Sequence, residues 1–254
     1  MSALIISLIA FGCIFGGWLL GMFLRGILPE HHLSDESMGV VKLGTGMIAT
    51  LAALVIGLLI ASAKGSFDTM SNGLRQTSSK IVLLDRVMAQ YGPETKETRA
   101  LLRQGIASAI ERIWPKDRIE QGEMKLLDSR AGIEALQEEL LQLSPQNDTQ
   151  RWLQSRALQV SGEIAETRWQ LFEQIGQSSL SMPFFVILVF WLVLIFFSFG
   201  LSSPPNTTVI MVLLICALSA AGSLFLILEL DQPYGGLIEI SSAPLRNALT
   251  FLGK

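Results

Sequence analysis

The sequence predicts an all-α integral membrane protein with four transmembrane helices and a helical cytoplasmic bundle inserted between the second and third. Half of the 254 residues are hydrophobic and only 16% are charged, whereas an average soluble domain carries about 25% charged residues. Four long stretches contain no charged residue, as expected for spans. The polar region between the second and third stretches repeats its apolar residues every three or four positions, which is the period of a helix.

The predicted spans end at charged residues or at prolines. The 21 uncharged residues between Lys42 and Lys64 would extend over about 31 Å as a helix, which matches the hydrocarbon core of a bilayer. Pro29 follows the first span, and Pro183 suits the first turn of the third. The four spans are Ala3–Leu24, Met38–Lys64, Pro183–Leu201 and Thr208–Leu228.

Four domains follow: residues 1–64 with the first two spans, 65–180 as the helical domain, 181–228 with the last two spans, and 229–254 as a tail. The turn at 202–207 is uncharged, and Arg25 and Lys42 are the basic residues of the other short loop. More basic residues lie next to the polar region and in the tail: Lys64, Arg75, Lys80, Arg168, Arg246 and Lys254. We therefore expect the protein in the inner membrane of a bacterium. By the positive-inside rule, the polar region and both termini are expected in the cytoplasm.

Within the polar region, the pattern predicts one helix that continues from the second span until Gly92-Pro93. Further helices are predicted near 94–114, 118–127, 132–143 and 149–180. The continuous helix carries a heptad-like apolar seam, which consists of Phe67, Met70, Leu74, Thr77, Ile81, Leu84 and Met88.

One stripe of the second predicted span is made of small residues with a lysine near each end. Residues three or four positions apart share a helix face, and this stripe, the small face, comprises Gly39, Lys42, Gly46, Thr50, Ala53, Gly57, Ala61 and Lys64. The opposite face is predicted to carry Ile48, Leu51, Val55, Leu58 and Leu59. We expect a narrow, slightly polar face to meet protein or water rather than lipid.

Two interpretations of the small face remain open. Small residues let helix backbones approach closely in lipid, and Gly12, Gly16 and Gly17 of the first span offer a partner for such packing. The lysine ammonium groups would then reach the headgroups. Alternatively, the small faces of several subunits surround a shared axis and line a pore, with basic residues at both mouths and apolar rings that gate by dewetting.

The loop between the first two spans contains His31 and His32 close to Asp35 and Glu36. Imidazole and carboxylate groups are common metal ligands, and imidazole titrates near neutral pH. These residues are therefore weak candidates for a metal or pH-sensing site. Adjacent histidines do not easily point at one ion, so a solvated loop is the simpler explanation.

Several classes of function are excluded by the sequence. The net charge of −3 and the lack of a Lys/Arg-rich run argue against a nucleic-acid partner. The sequence Gly44-Thr45-Gly46-Met47-Ile48-Ala49 resembles a dinucleotide-binding fingerprint, but it lies inside a span without a preceding strand. Neither a catalytic triad nor zinc-type spacing is present, so we expect no enzyme and no cofactor. No ionisable residue lies mid-span, which argues against proton-coupled transport.

The fourth span ends in two carboxylates followed by a sharp turn. Negative charge at a helix C-terminus opposes the helix dipole, so a basic partner such as Arg246, a bound cation or backbone donors should compensate. The turn either docks an amphipathic helix, expected near 238–252, on the membrane face, or forms a cation site or gating element. Its candidate residues are Glu229, Asp231, Pro233, Tyr234 and Gly235.

Two stretches, 31–68 and 224–252, the latter with Leu-Glu-Leu-Asp-Gln-Pro-Tyr-Gly-Gly, are similar to a bacterial and plant family of four-span membrane proteins labelled bestrophin-like. The label points to bestrophins, which are pentameric anion channels with a pore lined by the second helix. The resemblance implies that Asp231, Pro233, Tyr234 and Gly235 stand where bestrophins carry a Pro-Phe-Gly turn. The sequence Gly236-Leu237-Ile238-Glu239 replaces the acidic run of the bestrophin calcium clasp, and the second span lacks their aromatic neck. Calcium control and ion identity therefore do not carry over.

The leading functional hypothesis is a homo-oligomeric channel or pore in the lipid bilayer, a pentamer by analogy with bestrophins or else a tetramer. Its path would be lined by the small face, and Lys42 and Lys64 at the mouths would favour anions. A second hypothesis, from a different class, is a non-conducting membrane scaffold or stress sensor that acts through the cytoplasmic helical domain.

Overall fold

The computed structural model describes residues 2–29, 34–114, 130–176, 182–204 and 206–254. Throughout these ranges the regular elements are helical, which confirms the predicted all-α class. The predicted helix at 118–127, and His31 and His32 with their metal or pH-sensing hypothesis, lie outside them. The helices are α1 (Ala3–Arg25), α2 (Asp35–Tyr91), α3 (Lys96–Ile113), α4 (Arg130–Gln142), α5 (Asp148–Gly176), α6 (Met182–Ser202), α7 (Thr207–Leu230) and α8 (Ala243–Phe251).

Four of these helices, α1, α2, α6 and α7, are long and apolar enough to cross a membrane. The longest is α2, whose 57 residues span about 86 Å, so one helix continues from the apolar to the polar region as the sequence predicts. It begins after Ser34, whose hydroxyl accepts a hydrogen bond from the Ser37 amide at 3.4 Å. It ends at Tyr91. The next residue is Gly92, whose φ of 141° requires glycine, and Pro93 follows.

Contacts divide the chain into two compact units. The apolar unit consists of Met1–Phe67 and Ser178–Ile238, and the polar unit consists of Asp68–Gln177 and Glu239–Lys254. Since α2 crosses the boundary between Phe67 and Asp68, it contributes to both.

In the apolar unit, α1 and α6 approach closely at glycines. A Cβ atom on Gly17 would lie 2.9 Å from Val193 Cγ1, and one on Gly21 would overlap the carbonyl oxygen of Phe197. Because these two contacts advance together by four residues, α1 and α6 run parallel. Lipid tails are as apolar as leucine, so close packing of this kind, rather than the hydrophobic effect, holds such helices together.

Of the two Gly-x-x-x-Gly motifs in α1, only the second therefore packs within the chain. A Cβ atom on Gly12 or Gly16 would meet nothing within 4 Å. Around the packed motif, the core of the apolar unit includes Ile14 and Trp18 of α1, Leu188 of α6 and Leu224 of α7.

The polar unit is built on the seam predicted from the sequence. Five of its residues on α2 are buried, and residues of α4 and α5 are buried in the same unit. In water, each such side chain contributes about 1.5–3 kcal/mol through burial. The buried residues are Met70, Leu74, Ile81, Leu84 and Met88 of α2, Leu136 and Leu140 of α4, and Leu153, Val160 and Ile164 of α5.

The prediction of a helix at 238–252 is wrong at its start, because α8 begins only at Ala243. Before α8, the Ile238 amide donates a hydrogen bond to the Glu229 carboxylate, and the Ile240 carbonyl accepts one from the Trp114 indole. The apolar face of this helix packs on protein within the polar unit. Its apolar residues Leu245 and Ala248 are buried, and it packs on α3.

We expect Gly21→Ala to lower the thermal stability of the detergent-solubilised protein, because the added methyl group would force α1 and α6 apart. Overpacking of this kind costs about 1–3 kcal/mol. The matched control is Gly12→Ala on the same helix, where the methyl group enters open space. Equal melting temperatures for the two variants would contradict the α1–α6 contact.

Candidate functional site

Among the described residues, nothing covers the small face of α2, since all eight of its residues are exposed. Cβ atoms built on Gly39, Gly46 and Gly57 would meet nothing within 4 Å. The interpretation that this face packs on the glycines of α1 is therefore wrong for a single chain.

A different face of α2 packs into the core of the apolar unit. Ala52 is 2% exposed, and the Thr45 hydroxyl donates a hydrogen bond of 2.8 Å to the Ser198 hydroxyl on α6. Such bonds between membrane helices contribute about 0.6–2 kcal/mol. The remaining core-facing residues of this face are Ile48, Ala49, Val55, Ile56 and Leu59.

A third face of α2 carries large exposed apolar residues, so the predicted opposite face is divided between two environments. Ile48, Val55 and Leu59 pack in the core, whereas Leu51 and Leu58 are exposed. In the most apolar 18-residue stretch of α2, only 11% of the residues are buried, against 28–33% in the corresponding stretches of the other three apolar helices. The exposed apolar face comprises Val40, Leu43, Met47, Leu51, Leu54 and Leu58.

The charged candidates around α2 differ in their surroundings. Lys42 is exposed, whereas the ammonium group of Lys64 lies 5.5 Å from the ring centroid of Phe67, a cation–π distance. Asp35 and Glu36 occupy the first turn of α2, where negative charge is favourable. Across the described ranges, no three His, Cys, Asp or Glu side chains converge as a metal site would require.

At the end of α7, the carboxylate of Glu229 is buried and accepts hydrogen bonds from two consecutive amides. Glu229 is only 3% exposed. Its Oε1 accepts one hydrogen bond from the Leu237 amide and another, of 3.2 Å, from the Ile238 amide. The negative charge at the end of α7 is therefore compensated by backbone donors. Arg246 instead donates to the Ser242 hydroxyl at 2.8 Å.

The residues after Glu229 form the turn. Gly236 is required because a Cβ atom there would overlap Glu229 Oε1. Pro233 is buried, and burial raises the pKa of Tyr234 to about 12. Asp231 follows the last residue of α7, and the Gly235 amide bonds the Gln232 carbonyl at 3.3 Å, which closes the turn.

In the polar unit, the structure reveals an ion pair that the sequence analysis missed. The Asp85 carboxylate is almost fully buried and takes a two-pronged contact from Arg99, with Nε–Oδ1 at 2.8 Å and Nη2–Oδ2 at 2.9 Å. This hydrogen bonding raises the pKa of Arg99. A signal was present, because Asp85 follows Leu84 of the apolar seam, but its partner lies on another helix.

Comparison with known proteins assigns the chain to a family. The model of the Bestrophin-like domain matches residues 12–245. The chain belongs to the Bestrophin-like family. Comparison with curated sequences finds no match.

Solved structures support the fold of this Bestrophin-like protein. One crystal structure of a bacterial Bestrophin homolog from Klebsiella pneumoniae, a single-residue variant, is 16% identical, with a TM-score of 0.65 over 95% of this chain and 99% of that one. Another structure of a Bestrophin homolog from the same organism, solved by Zn-SAD phasing, is 14% identical, with a TM-score of 0.65 over 94% and 96%. The protein is thus an all-helical membrane protein of this family.

The turn at Glu229 can be tested by separating its charge from its hydrogen bonding. Since one side-chain oxygen accepts both amides, Glu229→Gln keeps an acceptor and should retain thermal stability. Glu229→Ala leaves the two amides unpaired and should cost about 1–3 kcal/mol. If the Gln variant melts as low as the Ala variant, the negative charge of Glu229, and not only its acceptor oxygen, stabilises the turn.

Proposed function

We propose that this Bestrophin-like protein is a homo-oligomeric ion channel in which the small face of α2 lines the path. The proposal rests on one observation among the described residues: in the apolar unit, α2 packs on its own subunit through the face around Ala52, and its small face is left open. Small residues turned to lipid forgo the packing that stabilises membrane helices. When several copies enclose a shared axis, the small face instead borders water.

The chemistry of the small face fits a narrow path. Its one hydroxyl, on Thr50, donates to the Gly46 carbonyl at 2.9 Å, so its donor is already satisfied. The wall between Lys42 and Lys64 is otherwise formed by glycine and alanine. A constriction of this composition, small and weakly polar, is suited to gating by dewetting.

The charges at the two ends of the path favour anions. Lys42 and Lys64 lie on the small face, and no acidic residue lies on it. A ring of copies repeats each lysine around the axis, and rings of basic side chains attract anions at a pore mouth. The cation–π contact with Phe67 leaves the charge of Lys64 in place.

The assembly and orientation follow the same proposal. The subunits form a pentamer, by analogy with bestrophins, with a tetramer as the alternative. The polar unit, including residues 239–254, lies in the cytoplasm of a bacterium, because basic residues are concentrated next to it. The first helix begins on the same side, since four spans return the chain to its starting side.

The test is anion flux through liposomes that contain only the purified protein. Wild type should exceed empty liposomes, and Gly57→Leu should reduce the flux by about tenfold or more by filling a narrow path. The matched control is Leu54→Phe, which adds volume to the exposed apolar face of the same helix and should conduct.

The alternative function, a non-conducting scaffold or stress sensor, makes the opposite prediction for this experiment. Folded, oligomeric wild-type protein that gives no flux of anions or cations would contradict the channel proposal and favour the scaffold. Lys42→Glu adds a further check, because reversing the charge at one mouth should lower the preference for anions over cations.

A further inference from the structure

The last residues of the chain are held in the polar unit at two separated points. We call residues 239–254 the strap. Near its start, the Trp114 indole donates to the Ile240 carbonyl at 2.8 Å. Between the two points, its buried side chains include Leu245, Ala248 and Leu252, and α8 packs on α3.

The second point is the buried Asp85–Arg99 pair. The Gly253 amide lies 3.4 Å from each carboxylate oxygen of Asp85. The Lys254 carbonyl accepts hydrogen bonds from Arg99 at 3.1 Å and from Arg86 at 3.3 Å. Asp85 and its arginine partner thus bind the strap as well as each other.

The strap depends on this docking for its structure. With nine residues, α8 is too short to be stable as an isolated helix in water. The φ of 83° at Gly253 directs its amide to Asp85, and this backbone conformation strongly favours glycine. Undocking would therefore unfold α8, and its amides would exchange freely with solvent.

The position of the strap in the chain links two helices. It begins directly after the turn that Glu229 closes at the end of α7, and it ends at Asp85 on α2, the helix that we assign to the ion path. A docked strap therefore contacts the part of α2 that carries Asp85, on the same helix as the proposed ion path.

We propose that the strap is a detachable latch, that the Asp85–Arg99 pair holds it closed, and that ion passage requires the closed latch. The functional part rests on the proposed channel, whereas the docking of the strap does not. Release would remove the contacts of the strap with Asp85 and Arg86 of α2, the helix that we assign to the ion path.

The first experiment measures hydrogen–deuterium exchange in the full-length protein. Arg99→Met removes the arginine of the pair, which lies on α3. Gly253→Ala strains the strap residue whose amide contacts Asp85. Both should speed exchange in 243–252 by about tenfold or more, as expected for loss of a charge-assisted hydrogen bond, and leave the α2 seam protected. Arg151→Met is the control, because its partner Asp148 is exposed.

The second experiment measures flux of the same variants in liposomes. Both latch variants should conduct at least about threefold more slowly than wild type, within the range of coupling between distant sites, and the control should conduct normally. Unchanged exchange in 243–252 would overturn the latch, and faster exchange with unchanged flux would overturn its role in conduction. If wild type itself does not conduct, the channel proposal and that role fail together, and exchange still decides the docking.

Discussion

The structure depends on how one helix divides its surface among three environments. The core-facing side of α2, around Ala52, packs on its own subunit. The exposed apolar side, around Leu54, suits lipid or a neighbouring copy, whereas the small face, around Gly57, is poorly suited to lipid. Glycine and alanine stabilise a membrane helix by letting a partner come close. Because no described part of the chain provides such a partner, the small face is the feature that an assembly has to accommodate.

The two units are stabilised by different physics, although α2 belongs to both. In the apolar unit, the hydrophobic effect gives little preference for helix over lipid, so stability comes from close contacts such as Gly21 with Phe197 and from the Thr45–Ser198 hydrogen bond. In the polar unit, side chains such as Leu84 and Leu140 are removed from water. Among the described residues, each unit also buries one carboxylate. The partners of Glu229 organise a turn, and those of Asp85 organise a strap.

Much of the fold was predictable because its signals are local. Charge-free stretches located the apolar helices, the period of three to four located the α2 seam, and Gly92-Pro93 marked its end. The small face was also readable as a stripe. Its surroundings were not, because periodicity tells which residues share a face but not which face meets a neighbour. Leu51 and Val55 looked equivalent for this reason, yet only Val55 packs in the core.

Interactions between distant parts of the chain account for what the sequence analysis missed. Thr45 and Ser198 are 153 residues apart, and nothing in either local pattern indicates the other. Glu229 was recognised as a charge that needed a partner, but side-chain types alone could not reveal that the partners are backbone amides. The last helix starts late because Pro244 lies in its first turn, and proline is disfavoured further inside a helix.

The central claim is that the small face of α2 borders a shared axis of the assembled protein. The most direct test is a density map of the purified oligomer at a resolution that separates helices and places their residues. The account predicts α2 as the helix nearest the axis, with Gly46, Thr50, Ala53 and Gly57 turned towards it. A map with those residues turned to the surrounding lipid, or with another helix lining the axis, would contradict the account.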